Sequence, residues 1–214
     1  MPLLSKSKIK ICGIKNLDTL DFCIKNKIDY FGLIFYESSP RNISIKKAKK
    51  LLEFSKDKKI LSVGVFVDYS LEELNQLLKN LNFNYIQLHG NEDNNYIKYL
   101  KEKNKINIIK VISIKDLKDF KKIINFPNSD MFLFDYKPVA KELPGGNSKK
   151  FDWKLLKNIK INKPWFISGG INANNIMQIK NYVIPYGIDI SSGVEVKKGI
   201  KSNKKIESIV NLLR

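Results

Sequence analysis

The sequence predicts a single (β/α)8 barrel of the TIM-barrel type, one domain over residues 1–214. Short apolar, β-branched runs alternate with helix-period segments along the whole chain, and eight of each can be counted. The unit recurs at about 25 residues, with no linker, composition shift or low-complexity block to mark a second domain. Strict alternation implies parallel strands joined by right-handed crossovers, and eight units in so short a chain point to closure. An open doubly wound sheet usually carries a glycine-rich first turn, whereas Cys12-Gly13-Ile14-Lys15-Asn16 lacks the G-x-G-x-x-G spacing.

The first strand is read as Lys8 to Cys12, with Ile9 and Ile11 facing the helices and Lys10 and Cys12 pointing into the barrel. An amphipathic helix, Asp18 to Lys25, follows with Asp18 as its cap. Tyr30 to Phe35 and Ile45 to Phe54 form the second unit, with Ser44 positioned to cap the helix. Ile60 to Val67 and Leu71 to Leu81 form the third, where Ser70 and Glu73 have capping-box spacing. Tyr85 to Leu88 pairs with the helix Asn94 to Glu102, and Ile106 to Ile112 with Lys115 to Ile124. Met131 to Asp135 is followed by a long loop before the helix Trp153 to Ile159. Trp165 to Ser168 leads to Asn174 to Tyr182, with Asn172 as a cap, and Gly187 to Ile190 leads to Asn203 to Leu213.

A net charge of +18 invites a nucleic-acid reading. Composition argues against it. Lys, Ile and Asn together make up 90 of 214 residues and there are only two Arg, a uniform excess consistent with an A/T-rich coding bias. A phosphate-backbone interface would cluster its cations and favour the Arg fork, so no specific nucleic-acid partner is expected. The 43 % hydrophobic content excludes a disordered chain. No apolar run approaches the roughly 18 residues of a membrane span and no signal-like leader opens the sequence, so a soluble cytoplasmic protein is expected. Cys12 and Cys23 have neither disulfide-scaffold density nor zinc-site spacing and are read as free thiols, Cys23 as a packing residue.

A barrel places its chemistry at the C-terminal ends of its strands. Those positions are Cys12, Ser38 to Arg41, Asp68, His89-Gly90, Asp135, Ser168 to Gly170, Asp189 and Ser191 to Gly193. The turns after strands seven and eight, with Gly169, Gly170, Ser191, Ser192 and Gly193, supply close backbone approach and amide donors for a phosphate monoester. Cys12 offers a thiol that becomes a base or nucleophile once ionised. Asp135 ends an apolar strand, where burial keeps a carboxyl group protonated as a general acid needs. Arg41, the only arginine before the C-terminal residue, offers a planar fork for a substrate carboxylate or a face for an aromatic ring. His89, the only histidine, points into the barrel with Gln87 from strand four. With a single histidine and no paired-ligand spacing, no metal and no cofactor are expected.

These residues resemble the phosphoribosylanthranilate isomerase family of tryptophan biosynthesis. The matches run in order through Lys10-Ile11-Cys12-Gly13-Ile14, Phe31-Gly32-Leu33-Ile34-Phe35 with Ser39-Pro40-Arg41, Gln87-Leu88-His89-Gly90, Phe134-Asp135, Phe151-Asp152-Trp153, Ser168-Gly169-Gly170-Ile171 and Asp189 to Glu195. The resemblance implies a cofactor-free Amadori rearrangement of N-(5-phosphoribosyl)anthranilate, with Asp135 as acid and Cys12 as base. It further implies that Arg41 contacts the anthranilate, that Asp189 assists positioning, and that the turns after strands seven and eight hold the phosphate. That division of labour calls for an Asp135 pKa pushed up and a Cys12 pKa pulled down, unless a minor reverse-protonated form is the active one. The chain departs from the family pattern at Asn147-Ser148 and from Val196 to Ser202. Another phosphate-binding isomerase or epimerase, or a basic binding module without catalysis, are the competing readings. Other enzymes of the pathway are possible partners.

Overall fold

The computed structural model describes residues 4–139, 142, 144–146, 149–157 and 159–214, so Asn147 and Ser148 lie outside the described residues. Eight strands close a barrel in sequential order: β1 Lys8–Cys12, β2 Tyr30–Phe35, β3 Leu61–Phe66, β4 Tyr85–Leu88, β5 Asn107–Ile114, β6 Met131–Tyr136, β7 Trp165–Ile167 and β8 Gly187–Ile190. Every barrel pairing is parallel, and β1 closes against β8 through Lys8↔Gly187 to Ile11↔Ile190. Each expected strand is present, with ends shifted by two residues at most. β5 and β6 run on to Ile114 and Tyr136, and Ser168 follows β7 rather than ending it.

Four crossovers contain α-helices, α1 Leu17–Lys25, α2 Ile45–Ser55, α3 Leu71–Leu78 and α4 Asn94–Asn104, and a fifth, α5 Asn203–Leu213, follows β8. The three other expected helices are 3-10 segments, Leu117–Asn125, Trp153–Leu156 and Ile176–Asn181. The last two, four and six residues long, are too short to recover the cost of nucleating an α-helix. The cap of α1 is Asn16, whose side chain accepts from Thr19 N, and Asp18 sits inside the first turn instead. Ser44 and the Ser70–Glu73 capping box are formed as the spacing requires. Asn172 bonds Asn174 N one turn ahead of its 3-10 segment, which begins after Asn175. A two-stranded antiparallel hairpin that the sequence did not suggest, β9 Glu195–Lys197 with β10 Ile200–Lys201, stands between β8 and α5.

Alternation along the strands sorts the apolar residues into two cores. Ile9, Ile11, Phe31, Leu33, Ile86 and Leu88 belong to the large outer core between barrel and helices. Inside the barrel, Cys12, Tyr30, Val63, Val65, Ile109, Leu133 and Phe166 form the second core. At its base Tyr30 packs edge-on against Tyr85 and Phe166, Phe166 against Tyr186, and the Tyr30 and Tyr186 hydroxyls meet at 2.9 Å. These rings fill the lower barrel.

The charge of Lys110 is buried on the outer face of β5, where its Nζ donates to Glu92 Oε2 and to the Gly90 carbonyl, both at 2.8 Å. Glu92 also accepts from the amides of Asp68 (2.9 Å) and Gly90 (3.0 Å). One buried carboxylate thereby fastens the loops after β3 and β4, fixing the backbone that carries His89. Asp68 accepts from Asn91 N and is a loop fastener of the same kind rather than a site residue.

On the surface, Ser70→Ala removes the hydroxyl that accepts from Glu73 N and donates to Glu73 Oε2, leaves the bond from Ser70 N to Glu73 Oε2 in place, and should lower stability by about 1 kcal/mol, or roughly 2–4 °C in Tm for a chain of this size. Thermal denaturation checks this.

Candidate active site

Cys12, Gln87, His89, Asp135, Asp189 and Arg41 converge on one cavity of ≈ 490 Å³ at the C-terminal mouth of the barrel. It opens into a recess of ≈ 330 Å³ lined by Gly169, Gly170, Ser191, Ser192 and Lys149, with Asp135 and Asp189 shared between the two. Gly193 borders an adjoining groove with Gly170, Ser192 and Lys205. All ten residues singled out in the sequence thus lie at or beside one mouth.

Asp135 is buried, and its Oδ1 accepts from Tyr136 N at 2.7 Å. Burial pushes its carboxyl pKa up to about 7, outweighing the Tyr136 amide, with the Asp189 charge adding to the rise. His89 Nε2 stands 3.6 Å from Asp135 Oδ2. Burial, with Lys110 and Lys10 near by, brings the imidazole down to about 3, so any shared proton belongs to the carboxyl group and His89 is neutral.

Cys12 departs from expectation. Its thiol pKa is raised, because burial outweighs the Lys10 ammonium, Asp189 pushes the same way as burial, and Lys201 offsets too little. Lys10 is itself neutralised: its Nζ donates to Asp189 Oδ1 at 2.9 Å with both side chains buried. The Lys10 charge, which by itself would lower the thiol pKa, is shared with its own carboxylate.

The Arg41 fork is also engaged by the protein. Nε and Nη2 donate to Glu195 Oε1 and Oε2, each at 2.8 Å, leaving Nη1 toward Gly146. Lys201 Nζ joins the same carboxylate at 2.8 Å, and donates to the Ser191 carbonyl (3.0 Å) and hydroxyl (3.2 Å). The Ser191 hydroxyl in turn donates to the Cys12 carbonyl at 3.0 Å. Burial favours the protonated acid at Glu195, yet the bonds from Arg41 and Lys201 hold its pKa below the ordinary value. Two basic groups share one carboxylate here, and burial pulls the Lys201 ammonium below its ordinary pKa although Glu195 opposes the shift. Sequence reasoning gave neither Glu195 nor Lys201 a role, although Glu195 closes the matched run Asp189 to Glu195.

Gly145 and Gly146, in the connection after β6, line this mouth with φ of +73° and +70°. A Cβ on Gly145 would stand 2.7 Å from His89 Cε1, and one on Gly146 would overlap Arg41 Nη1. The backbone itself covers the cavity, at a distance only glycine allows.

A closed (β/α)8 barrel with a buried carboxyl group and a thiol at one mouth has the architecture of a barrel enzyme. The family model for N-(5'phosphoribosyl)anthranilate (PRA) isomerase matches residues 9–212, and this chain belongs to that family. Among its relatives, the N-(5'-phosphoribosyl)anthranilate isomerase of Thermoanaerobacter pseudethanolicus is 36% identical over 207 residues, covering 97% of this chain and 98% of the relative. That of Rhizobium etli is 38% identical over 204 residues, covering 94% and 91%. The crystal structure of the Thermotoga maritima enzyme superposes with a TM-score of 0.86 at 29% identity, covering 97% and 98% of the two chains. A phosphoribosyl anthranilate isomerase in complex with reduced 1-(o-carboxyphenylamino)-1-deoxyribulose 5-phosphate superposes at 0.82 with 27% identity, over 97% and 98%.

Gly146→Ala places a methyl group on Arg41 and strains a left-handed residue. We expect at least a tenfold loss of kcat/KM in a chain that remains folded by circular dichroism; unchanged kcat/KM would show that the loop need not approach so closely.

Proposed function

We propose that this chain catalyses the Amadori rearrangement of N-(5-phosphoribosyl)anthranilate to 1-(o-carboxyphenylamino)-1-deoxyribulose 5-phosphate, the isomerase step in tryptophan biosynthesis. The observation that carries the residue assignment is that Asp135 and Cys12 face one cavity continuous with the glycine-lined recess. In this reading the phosphate lies against Gly169, Gly170, Ser191, Ser192 and Gly193. Asp135 gives its proton to the ribose ring oxygen as the C1–O bond breaks and an iminium forms. The Cys12 thiolate then removes the proton from C2, leaving an enolamine that tautomerises to the ketone. Arg41 Nη1 and the covering loop face the anthranilate, while Asp189 holds Lys10 beneath Cys12.

Thiolate with carboxylic acid and thiol with carboxylate contain the same number of protons. The working pair is therefore a tautomer of the form that dominates at neutral pH, and is populated in constant proportion between the two pKa values. Below about 7 both groups are protonated, so the base is lost; above the thiol pKa both are ionised, so the acid is lost. The profile of kcat/KM should be a bell whose acid limb lies near 7 and follows Asp135, with an alkaline limb above the ordinary cysteine range. An acid limb that stays in place in the residual activity of Asp135→Asn would contradict this assignment.

Following loss of phosphoribosylanthranilate fluorescence tests the function directly, as does rescue of a tryptophan auxotroph lacking this step. Cys12→Ser and Asp135→Asn should each lower kcat by roughly 10²–10⁴ with unaltered circular dichroism. A Cys12→Ser enzyme that retains most of its kcat would remove Cys12 from the role of base.

A further inference from the structure

We propose that the side-chain amide of Gln87 receives a ribose hydroxyl of the substrate; the inference rests on the isomerase reading above and extends it to the floor of the same cavity. Gln87 is an inward residue of β4, in register with Val65 on one side and Ile109 on the other, both apolar. It is 1 % exposed, and its Oε1 has no hydrogen-bond partner among the described residues. Lys10 and Asp189, also inward, are bonded to each other, and Asp135 accepts from Tyr136 N. A buried carbonyl without a partner destabilises a fold, and a methionine or leucine would fill the same space at no such cost. Gln87 nevertheless lines the cavity that holds Cys12, Asp135 and Asp189.

With the phosphate anchored after β7 and β8 and the aromatic ring toward Arg41, the ribose lies between them, above the floor. Its hydroxyl groups are the donors this acceptor lacks. An O–H bond to Oε1 forms only in the complex, so Gln87 contributes to substrate affinity and not to folding.

The near-isosteric Gln87→Met separates the two roles. Its Tm should equal or exceed that of the wild type. The Kd for reduced 1-(o-carboxyphenylamino)-1-deoxyribulose 5-phosphate should rise about 10- to 100-fold by titration calorimetry, with KM for the substrate rising alongside and kcat changing by a few fold at most. The Kd for inorganic phosphate should not move. A Gln87→Met chain that unfolds, or melts well below the wild type, overturns the inference because the amide is then a structural group. Unchanged affinity for the reduced product also overturns it. A wild-type chain that neither binds the reduced product nor turns over phosphoribosylanthranilate refutes the isomerase reading itself.

Discussion

An ammonium and a carboxylate meet 2.9 Å apart inside the barrel, one from the first strand and one from the last. Neither Lys10 nor Asp189 is tolerable alone in that interior, so the pair requires β1 and β8 to lie side by side in one register. Closure of the barrel and the floor of the mouth are thus one constraint. Cys12 follows Lys10 by two residues and must share its inward face, and Ser191, two beyond Asp189, reaches the Cys12 carbonyl. A slip of one residue at this seam would turn the thiol toward the helices and leave a charge in the outer core.

The parts of the fold legible in the sequence were those in which local pattern and tertiary role coincide. Parallel strands covered on both faces read as apolar runs, and all eight appeared as such. The crossovers after β5, β6 and β7 were less legible. Leu117–Asn125 has helical spacing and a capping box at Asp116 and Asp119, yet winds as a 3-10 segment beneath β5. Its residues specify which side is buried; packing decides the pitch.

The candidate site divides in the same way. Cys12, Asp135 and Asp189 each stand out as a reactive group at the end of an apolar run, and that position places them at the mouth. The direction of the Cys12 shift was not legible, because it is set first by how completely the folded barrel buries the thiol, which outweighs the Lys10 charge, with Asp189 from the last strand adding to the rise. Lys201 was hidden by composition: in a chain with so many lysines, its type carries no information. Burial distinguishes Lys10, Lys110 and Lys201, each paired with an acid from a different segment. Gln87 was hidden for the opposite reason, since an amide becomes conspicuous only when its surroundings offer it nothing.

The aromatic rings of Tyr30, Tyr85, Phe166 and Tyr186 close the lower end of the barrel. They make the interior a blind vessel rather than a passage. Water, substrate and product share one doorway, and a molecule filling the mouth cuts the thiol off from bulk solvent. Any proton that a buried group at the mouth takes from a bound molecule therefore stays with the enzyme until the doorway clears, and is returned to that molecule more readily than it is lost to the medium.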